Sequence, residues 1–267
     1  MSTPRSLVIT GAAGRLGTYL RASLVEVATS ARLVDVVAPP PAAPGEPVEI
    51  HQGSVTDPDL LDEVCSGAEA IVHLGGFAGE APWPDLSEVN VGGTYQVLEA
   101  ALRHKLKRVV VASSNHAVGF HLRGSLPLAD DVAPRPDSLY GASKAAAEAL
   151  CQYYSAKFSM DIVCLRIGSC FDTPENRRML STWLSPADFI RLTRASLLTS
   201  RRGFQLVWGV SANTRRWWST AGGDAIGFCP QDNAESFAEL YPGDPPEPEY
   251  VGGVTILDAT SDSWASA

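Results

Sequence analysis

"VITGAAGRLG", residues 8–17, sets Gly11, Gly14 and Gly17 directly after an apolar β-branched run and at the head of a segment with helical spacing. Glycine suits such a place because the turn is tight and the backbone must approach an anion closely. The opening turn of a helix then offers unpaired N–H groups to a pyrophosphate. A glycine trio alone also fits a plain strand–helix turn, so its surroundings decide its meaning. "SLVIT" (6–10), "ARLVDVV" (31–37), "VEIHQGS" (48–54), "AIVHLGG" (70–76), "RVVVASS" (108–114) and "DIVCLRIGS" (161–169) read as strands. Helical spacing fills two of the intervals, with Leu16, Leu20, Leu24 and Val27 on one face of 15–28. Val89, Gly93, Val97 and Leu98 do the same in 88–104. Strands that are continuously apolar rather than alternating lie in a sheet covered on both faces.

The expected architecture is therefore α/β, a doubly wound, mainly parallel sheet of the Rossmann type, with a small C-terminal substrate-binding portion. Residues 1–170 form the nucleotide-binding region. Residues 171–267 form a smaller portion packed on it as one structural unit. "APPPAAPGEP" (38–47) excludes a helix and reads as a surface loop between the second and third strands. After Cys170 the pattern turns polar, then helical, with aromatics in "FQLVWG" and "RRWWST" and a last strand expected near 253–259.

The 21 basic and 30 acidic residues leave a net charge of −9, which argues against nucleic acid or an anionic membrane as partner. No segment approaches the roughly 20 apolar residues of a membrane span. Five cysteines, an odd number without a CxxC pair, read as reduced thiols of a cytoplasmic protein. The five histidines and the cysteines show no ligand-type spacing, so no metal is expected.

Asp35 ends the second strand 18 residues beyond Gly17, close to the ~20 expected of a carboxylate that accepts the ribose hydroxyls of a dinucleotide. A carboxylate there repels a 2′-phosphate, which favours NAD over NADP. "SLYGASKAAAEAL" (138–150) sets Tyr140 and Lys144 one helical turn apart. A free tyrosine, with a pKa of about 10, is a poor base at neutral pH. A nearby ammonium, together with a positive nicotinamide ring, is expected to lower that value, so that the phenolate takes a hydroxyl proton while hydride leaves the same carbon. The fifth strand ends in "SSNH", Ser113 to His116, either a polar cap or a set of groups aimed at a small polar substrate.

The GxxGxxG spacing, "HLGG" (73–76), Asn90 in "VNVGGTYQVLEAA" and the Tyr140–Lys144 pair resemble the extended branch of the short-chain dehydrogenase/reductase superfamily. That resemblance makes Ser114 the hydroxyl that polarises the reacting oxygen beside Tyr140. It implies cofactor contacts from Gly11, Gly14, Arg15, Leu16, Gly17, Asp35, Ser54, Val55, Leu74, Gly75, Gly76 and Asn90, with Tyr140 and Lys144. Ser54 stands where many members carry an aspartate against the adenine.

Longer strings, "SSNHAVGF", "RPDSLYGASK", "RIGSC", "RRMLSTWLS", "LVWGVSAN" and "DNAESF", are similar to bacterial uronate dehydrogenases from Ser6 to about Phe237. The resemblance implies NAD-dependent oxidation of D-galacturonate or D-glucuronate at C1 to the aldarolactone, and pairing into a homo-oligomer. Ser114, Asn115, His116, Tyr140 and Ser169 would contact the sugar, and Arg178 would hold its carboxylate. A guanidinium suits that task as a two-pronged donor within an acidic protein. The family's serine shortly after "HLGG" is replaced by Ala78. Trp217 and Trp218 read as packing or interface residues rather than sugar-stacking platforms, and His73 and His121 as structural. The alternatives are an NAD-dependent nucleotide-sugar epimerase or dehydratase using the same tyrosine and lysine, and a non-catalytic NAD-binding module. The stretch after Cys170 is short for the first, and the intact Ser114, Tyr140 and Lys144 speak against the second.

Overall fold

The computed structural model describes residues 3–124, 127–242 and 249–253. It begins with β1 (Ser6–Thr10), α1 (Arg15–Ala22), α2 (Leu24–Val27), β2 (Ser30–Asp35), β3 (Val48–Gln52) and α3 (Pro58–Cys65). β4 (Ala70–His73), α4 (Trp83–Asp85), α5 (Gly93–Arg103), β5 (Arg108–Ser114), α6 (Leu139–Phe158) and β6 (Ile162–Ile167) follow. Then come β7 (Ser169–Cys170), α7 (Met179–Thr182), β8 (Trp183–Leu184), α8 (Pro186–Leu198), β9 (Phe204–Gly209) and α9 (Ala221–Ile226). The main sheet has the order β3-β2-β1-β4-β5-β6-β9, and every neighbouring pair is parallel. The chain direction across the sheet reverses between β1 and β4. Such a switch point opens a crevice beyond the carboxyl ends of the strands.

Alternate residues of each strand feed two apolar layers. Leu7, Ile9, Leu33, Val72, Val110 and Leu165 pack with Leu20 of α1 and Phe189 of α8. Val8, Val34, Ile71, Val109 and Cys164 pack with Leu61 of α3, Val97 and Leu98 of α5, and Cys151 of α6. Local chemistry starts the helices. Asp57 accepts from the N–H groups of Asp59 and Leu60 ahead of Pro58, and the Ser138 hydroxyl accepts from Gly141 N at 2.9 Å. The proline loop after β2 is pinned to α1 by Arg21, which grips both Glu46 carboxylate oxygens and donates to the Pro40 and Pro41 carbonyls.

Several boundaries differ from the sequence reading. The 15–28 helix breaks at Ser23, whose N–H closes α1 against the Tyr19 and Leu20 carbonyls. The 88–104 helix opens as a π turn over Leu86–Gly92 before α5. The second, third, fourth and sixth strands stop at Asp35, Gln52, His73 and Ile167. Ser169 and Cys170 leave the main sheet to pair with β8. "FQLVWG", taken with the C-terminal aromatics, is a seventh parallel strand beside β6; Gln205 and three aromatic or small residues disguise its pattern. Apart from Gly253, the strand expected near 253–259 lies outside the described residues.

Candidate active site

A cleft of about 1120 Å³ runs along the carboxyl edge of the sheet, slightly above the ~300–1,000 Å³ usual for small-molecule sites. It stretches from Gly11, Gly14, Arg15, Leu16 and Asp35, past Ser54, Val55, Leu74, Gly75 and Gly76, to Ser114, His116, Tyr140, Lys144 and Ser169.

The glycine end of the cleft is built by backbone. Gly11 has φ +70°, and a Cβ there would sit 2.6 Å from the Leu74 carbonyl carbon. Only glycine permits that approach. Gly14 caps α1 without a side-chain hydrogen bond, and no acidic residue occupies the first turn. The helix therefore points uncapped N–H groups and the positive end of its dipole into the cleft. Gly17 faces the Gly11–Ala12 turn and seats α1 on it. Asp35 is held by Ala13 N at 2.9 Å on Oδ2 and by Val37 N at 3.1 Å on Oδ1. This donor set fits a dinucleotide: an anion at the helix end and ribose hydroxyls at the carboxylate. Ser54 spends its hydroxyl locally, against Thr56 at 2.8 Å.

The other end gathers the polar groups of β5 and α6. The Ser114 hydroxyl accepts from His116 N at 3.2 Å and caps the short 3-10 turn Asn115–Val118. The Tyr140 and His116 rings meet edge to face at 5.9 Å. Lys144 donates to the Ala112 carbonyl at 3.0 Å, and its Nζ lies 5.7 Å from the Tyr140 ring centroid. Ser113 lends its hydroxyl to Glu148 at 2.6 Å. The "SSNH" run is thus divided between scaffold and cleft.

Burial raises the Tyr140 phenol above its ordinary value of 10.0, and only the neighbouring Ser114 hydroxyl opposes it. The Lys144 ammonium is anchored on the Ala112 carbonyl rather than on the phenol, and the lowering expected from the sequence is one that the ammonium and a bound nicotinamide ring would produce together. Burial also drives Lys144 down to about 8, against the pull of the nearby thiols and Glu148.

Gly17, Asn90, Asn115 and Arg178 do not line the cleft. Asn90, 2% exposed, bonds both backbone polar groups of Phe77 and donates to Ser143 Oγ at 2.9 Å. Ser143 in turn donates to the Tyr140 carbonyl at 2.7 Å. Asn90 thus clamps the loop after β4 onto the Tyr140 helix. Asn115, with its amide oriented to satisfy both ends, donates to the Ile167 carbonyl at 3.2 Å and accepts from Arg178 Nη2 at 2.9 Å. The same Nη2 donates to the Val251 carbonyl at 2.8 Å. The Ser169 hydroxyl meets that of Thr182 at 3.0 Å.

His73 is buried between the hydroxyls of Thr10 at 2.7 Å and Thr94 at 3.2 Å. His121 reaches the Ala133 carbonyl at 2.7 Å. Trp217 and Trp218 stack beside Trp208 in a side cluster, as packing residues do. Among the described residues, no group of three or more His, Cys, Asp or Glu could hold a metal ion, and no helix is long and apolar enough to cross a membrane.

Sequence reading missed Phe171 and Met179 in the cleft wall, and the buried Asp137, Glu148 and Arg166 behind it. Glu148 was within reach, one turn beyond Lys144 on the same helix face. Phe171 gave no hint, since its place depends on the Arg15 guanidinium stacking 3.9 Å above its ring.

Residues 7–188 match the NAD dependent epimerase/dehydratase family. The chain is 38% identical to a uronate dehydrogenase of Pseudomonas syringae pv. tomato, over 94% of this chain and 92% of that one. It is 40% identical to a uronate dehydrogenase of Agrobacterium fabrum, over 92% and 91%. It also superposes with a TM-score of 0.88 on a mutant uronate dehydrogenase from Agrobacterium tumefaciens complexed with NAD, at 38% identity and covering 95% of this chain and 97% of that one.

Proposed function

From the premise that this chain belongs to the uronate dehydrogenases, within the NAD dependent epimerase/dehydratase family, we propose that it oxidises D-glucuronate or D-galacturonate at C1 to the aldarolactone. The enzyme is an NAD-dependent oxidoreductase. The observation that carries the reading is the convergence of Ser114, Tyr140 and Lys144 at one end of a cleft whose other end is a glycine turn and Asp35.

NAD, when bound, supplies the hydride acceptor. Gly11, Gly14, Arg15 and Leu16 would hold its pyrophosphate at the head of α1, which Gly17 seats on the turn, and Asp35 its adenosine ribose. Ser54 and Val55 would flank the adenine, and Leu74, Gly75 and Gly76 would line the middle of the cleft. Asn90 would serve that surface from beneath.

Tyr140 takes the proton of the C1 hydroxyl as general base. Ser114 holds the same oxygen. Lys144 favours the phenolate through its field. As the C1–H pair leaves as hydride, C1 becomes the lactone carbonyl with the ring oxygen retained. His116 and Ser169 on the cleft wall fix the sugar, and Arg178, turned from the Val251 carbonyl toward the cleft with Asn115 beside it, receives its carboxylate. In this reading residues 1–170 carry the cofactor and 171–267 the substrate-facing wall.

We further propose a cytoplasmic homo-oligomer, paired across the outer faces of α5 and α6, where Tyr95, Tyr153 and Phe158 are exposed. The test mixes purified enzyme and excess NAD with D-glucuronate, D-galacturonate or D-glucose, following NADH and identifying the product by NMR. Rapid reduction with a uronate but not with glucose, and an aldarolactone product, support the reading. Equal rates with glucose, or no reduction at all, overturn it.

A further inference from the structure

Asp137 lies just ahead of the α6 N-cap, its side chain wholly inaccessible. Its two oxygens stand 3.0 and 2.9 Å from His116 Nδ1. A carboxylate only accepts, so Nδ1 carries its proton toward Asp137. Nε2 is then the ring's remaining polar atom for the cleft that His116 lines. The Ser138 hydroxyl donates to Asp137 Oδ1 at 3.0 Å while accepting from Gly141 N. The same carboxylate is thereby tied to the cap of the helix that carries Tyr140.

Backbone from two distant places closes over this carboxylate. A Cβ on Gly119 or on Gly252 would collide with Asp137 Oδ2. Gly252 belongs to a strap, residues 249–253, that runs antiparallel along 119–123. Arg123 N bonds the Glu249 carbonyl at 2.8 Å, Val251 N the His121 carbonyl at 3.0 Å, and Gly252 N the Gly119 carbonyl at 3.0 Å. The Val251 carbonyl also receives Arg178, so one strap touches both halves of the expected sugar site.

We propose that Asp137 is a positioning residue that locks His116 in its Nδ1–H tautomer, so that Nε2 accepts a hydrogen bond from a sugar hydroxyl, with Gly252 excluding water from the carboxylate. The hydroxyl half of this assignment rests on the sugar-acid reading of the cleft; the tautomer half does not. An unlocked imidazole would present either an N–H or a lone pair to the substrate. A buried acceptor held on Nδ1 removes that choice.

Two measurements test it. In ligand-free, 15N-histidine-labelled protein in mildly alkaline buffer, His116 shows the Nδ1–H tautomer, and Asp137→Asn converts it to a mixture. A wild-type ring protonated on Nε2 overturns the assignment. In kinetics, Asp137→Asn raises the uronate KM about tenfold, as loss of a hydrogen bond to a charged group does, while NAD affinity holds. Gly252→Ala does the same with Asp137 intact. In a His116→Ala background the added Asp137→Asn changes KM by less than about twofold, because the two residues act as one unit. Independent, multiplying effects overturn the positioning role. A wild-type enzyme that oxidises no uronate defeats the proposed function alone, and the tautomer measurement still decides the role of Asp137.

Discussion

The ammonium of Lys144 lies 5.7 Å from the centroid of the Tyr140 ring and is bonded to the Ala112 carbonyl at 3.0 Å. Lysine thus reaches tyrosine through space, from a fixed anchor on β5, rather than by gripping the phenol oxygen. The phenol, left to itself, is pushed up by burial. Burial and the Ser114 hydroxyl act in opposite senses on one oxygen, and the chemistry depends on that oxygen being present.

Tyr140→Phe removes it with little disturbance to packing, because the ring is 8% exposed and its contact with His116 is edge to face. Turnover should fall by roughly 10²–10⁴, the usual contribution of a positioned acid or base. NAD affinity, measured by fluorescence titration, should stay within about twofold, since the ring still fills the cleft wall. Undiminished NADH formation would remove Tyr140 from the role of base.

Asp35→Ala should relax the discrimination against NADP. The carboxylate both lines the cleft beside the glycine turn and braces that turn through Ala13 N. Its loss is expected to raise kcat/KM with NADP by about tenfold or more, through relief of charge repulsion. The two lost backbone hydrogen bonds should cost about 1–3 kcal/mol of stability. An unchanged ratio of NAD to NADP use, with the stability loss present, would leave Asp35 as a brace alone.

The glycine turn and the tyrosine–lysine pair of the cleft were legible because their logic is local. Glycines 11, 14 and 17, the strand that ends at Asp35, and the Tyr140–Lys144 pair are each defined by short spacings. β5 was read to the residue because every one of its positions from Arg108 to Ser114 but Ala112 is buried. What escaped depends on distant partners. The 204–209 strand looks irregular until it is laid beside β6, and Asp137 is an ordinary loop acid until Gly119 and Gly252 close on it. Arg178 was legible as a cation but not as one already engaged by Asn115 and the Val251 carbonyl.

Glu148 and Arg166 form a two-pronged ion pair at 2.9 and 2.8 Å with both side chains inaccessible. Glu148→Leu strands a buried guanidinium and should cost about 3–5 kcal/mol in denaturant unfolding. Pairing it with Arg166→Met should recover much of that loss, because two apolar side chains need no partner. A double variant as unstable as Glu148→Leu alone would mean that the arginine's bonds to the Asp130 and Val132 carbonyls matter more than the pair.

Acid should unfold this protein partly through His73. Burial, helped by the Lys144 charge, holds its pKa down to about 3 from 6.5. Below pH 6.5 the unfolded chain binds a proton there that the folded chain refuses. Its contribution is therefore complete above 6.5 and is lost as pH falls toward 3, at about 1.4 kcal/mol per pH unit. Every other titrating group is shared with a His73→Asn variant, so the difference between the two proteins isolates this one. At pH 7 the wild type should be the more stable, with its hydrogen bonds to Thr10 and Thr94 intact. By pH 5 that advantage should shrink by about 2 kcal/mol. Urea titrations at the two pH values decide it: a constant gap would show that His73 takes up its proton in the folded state without cost.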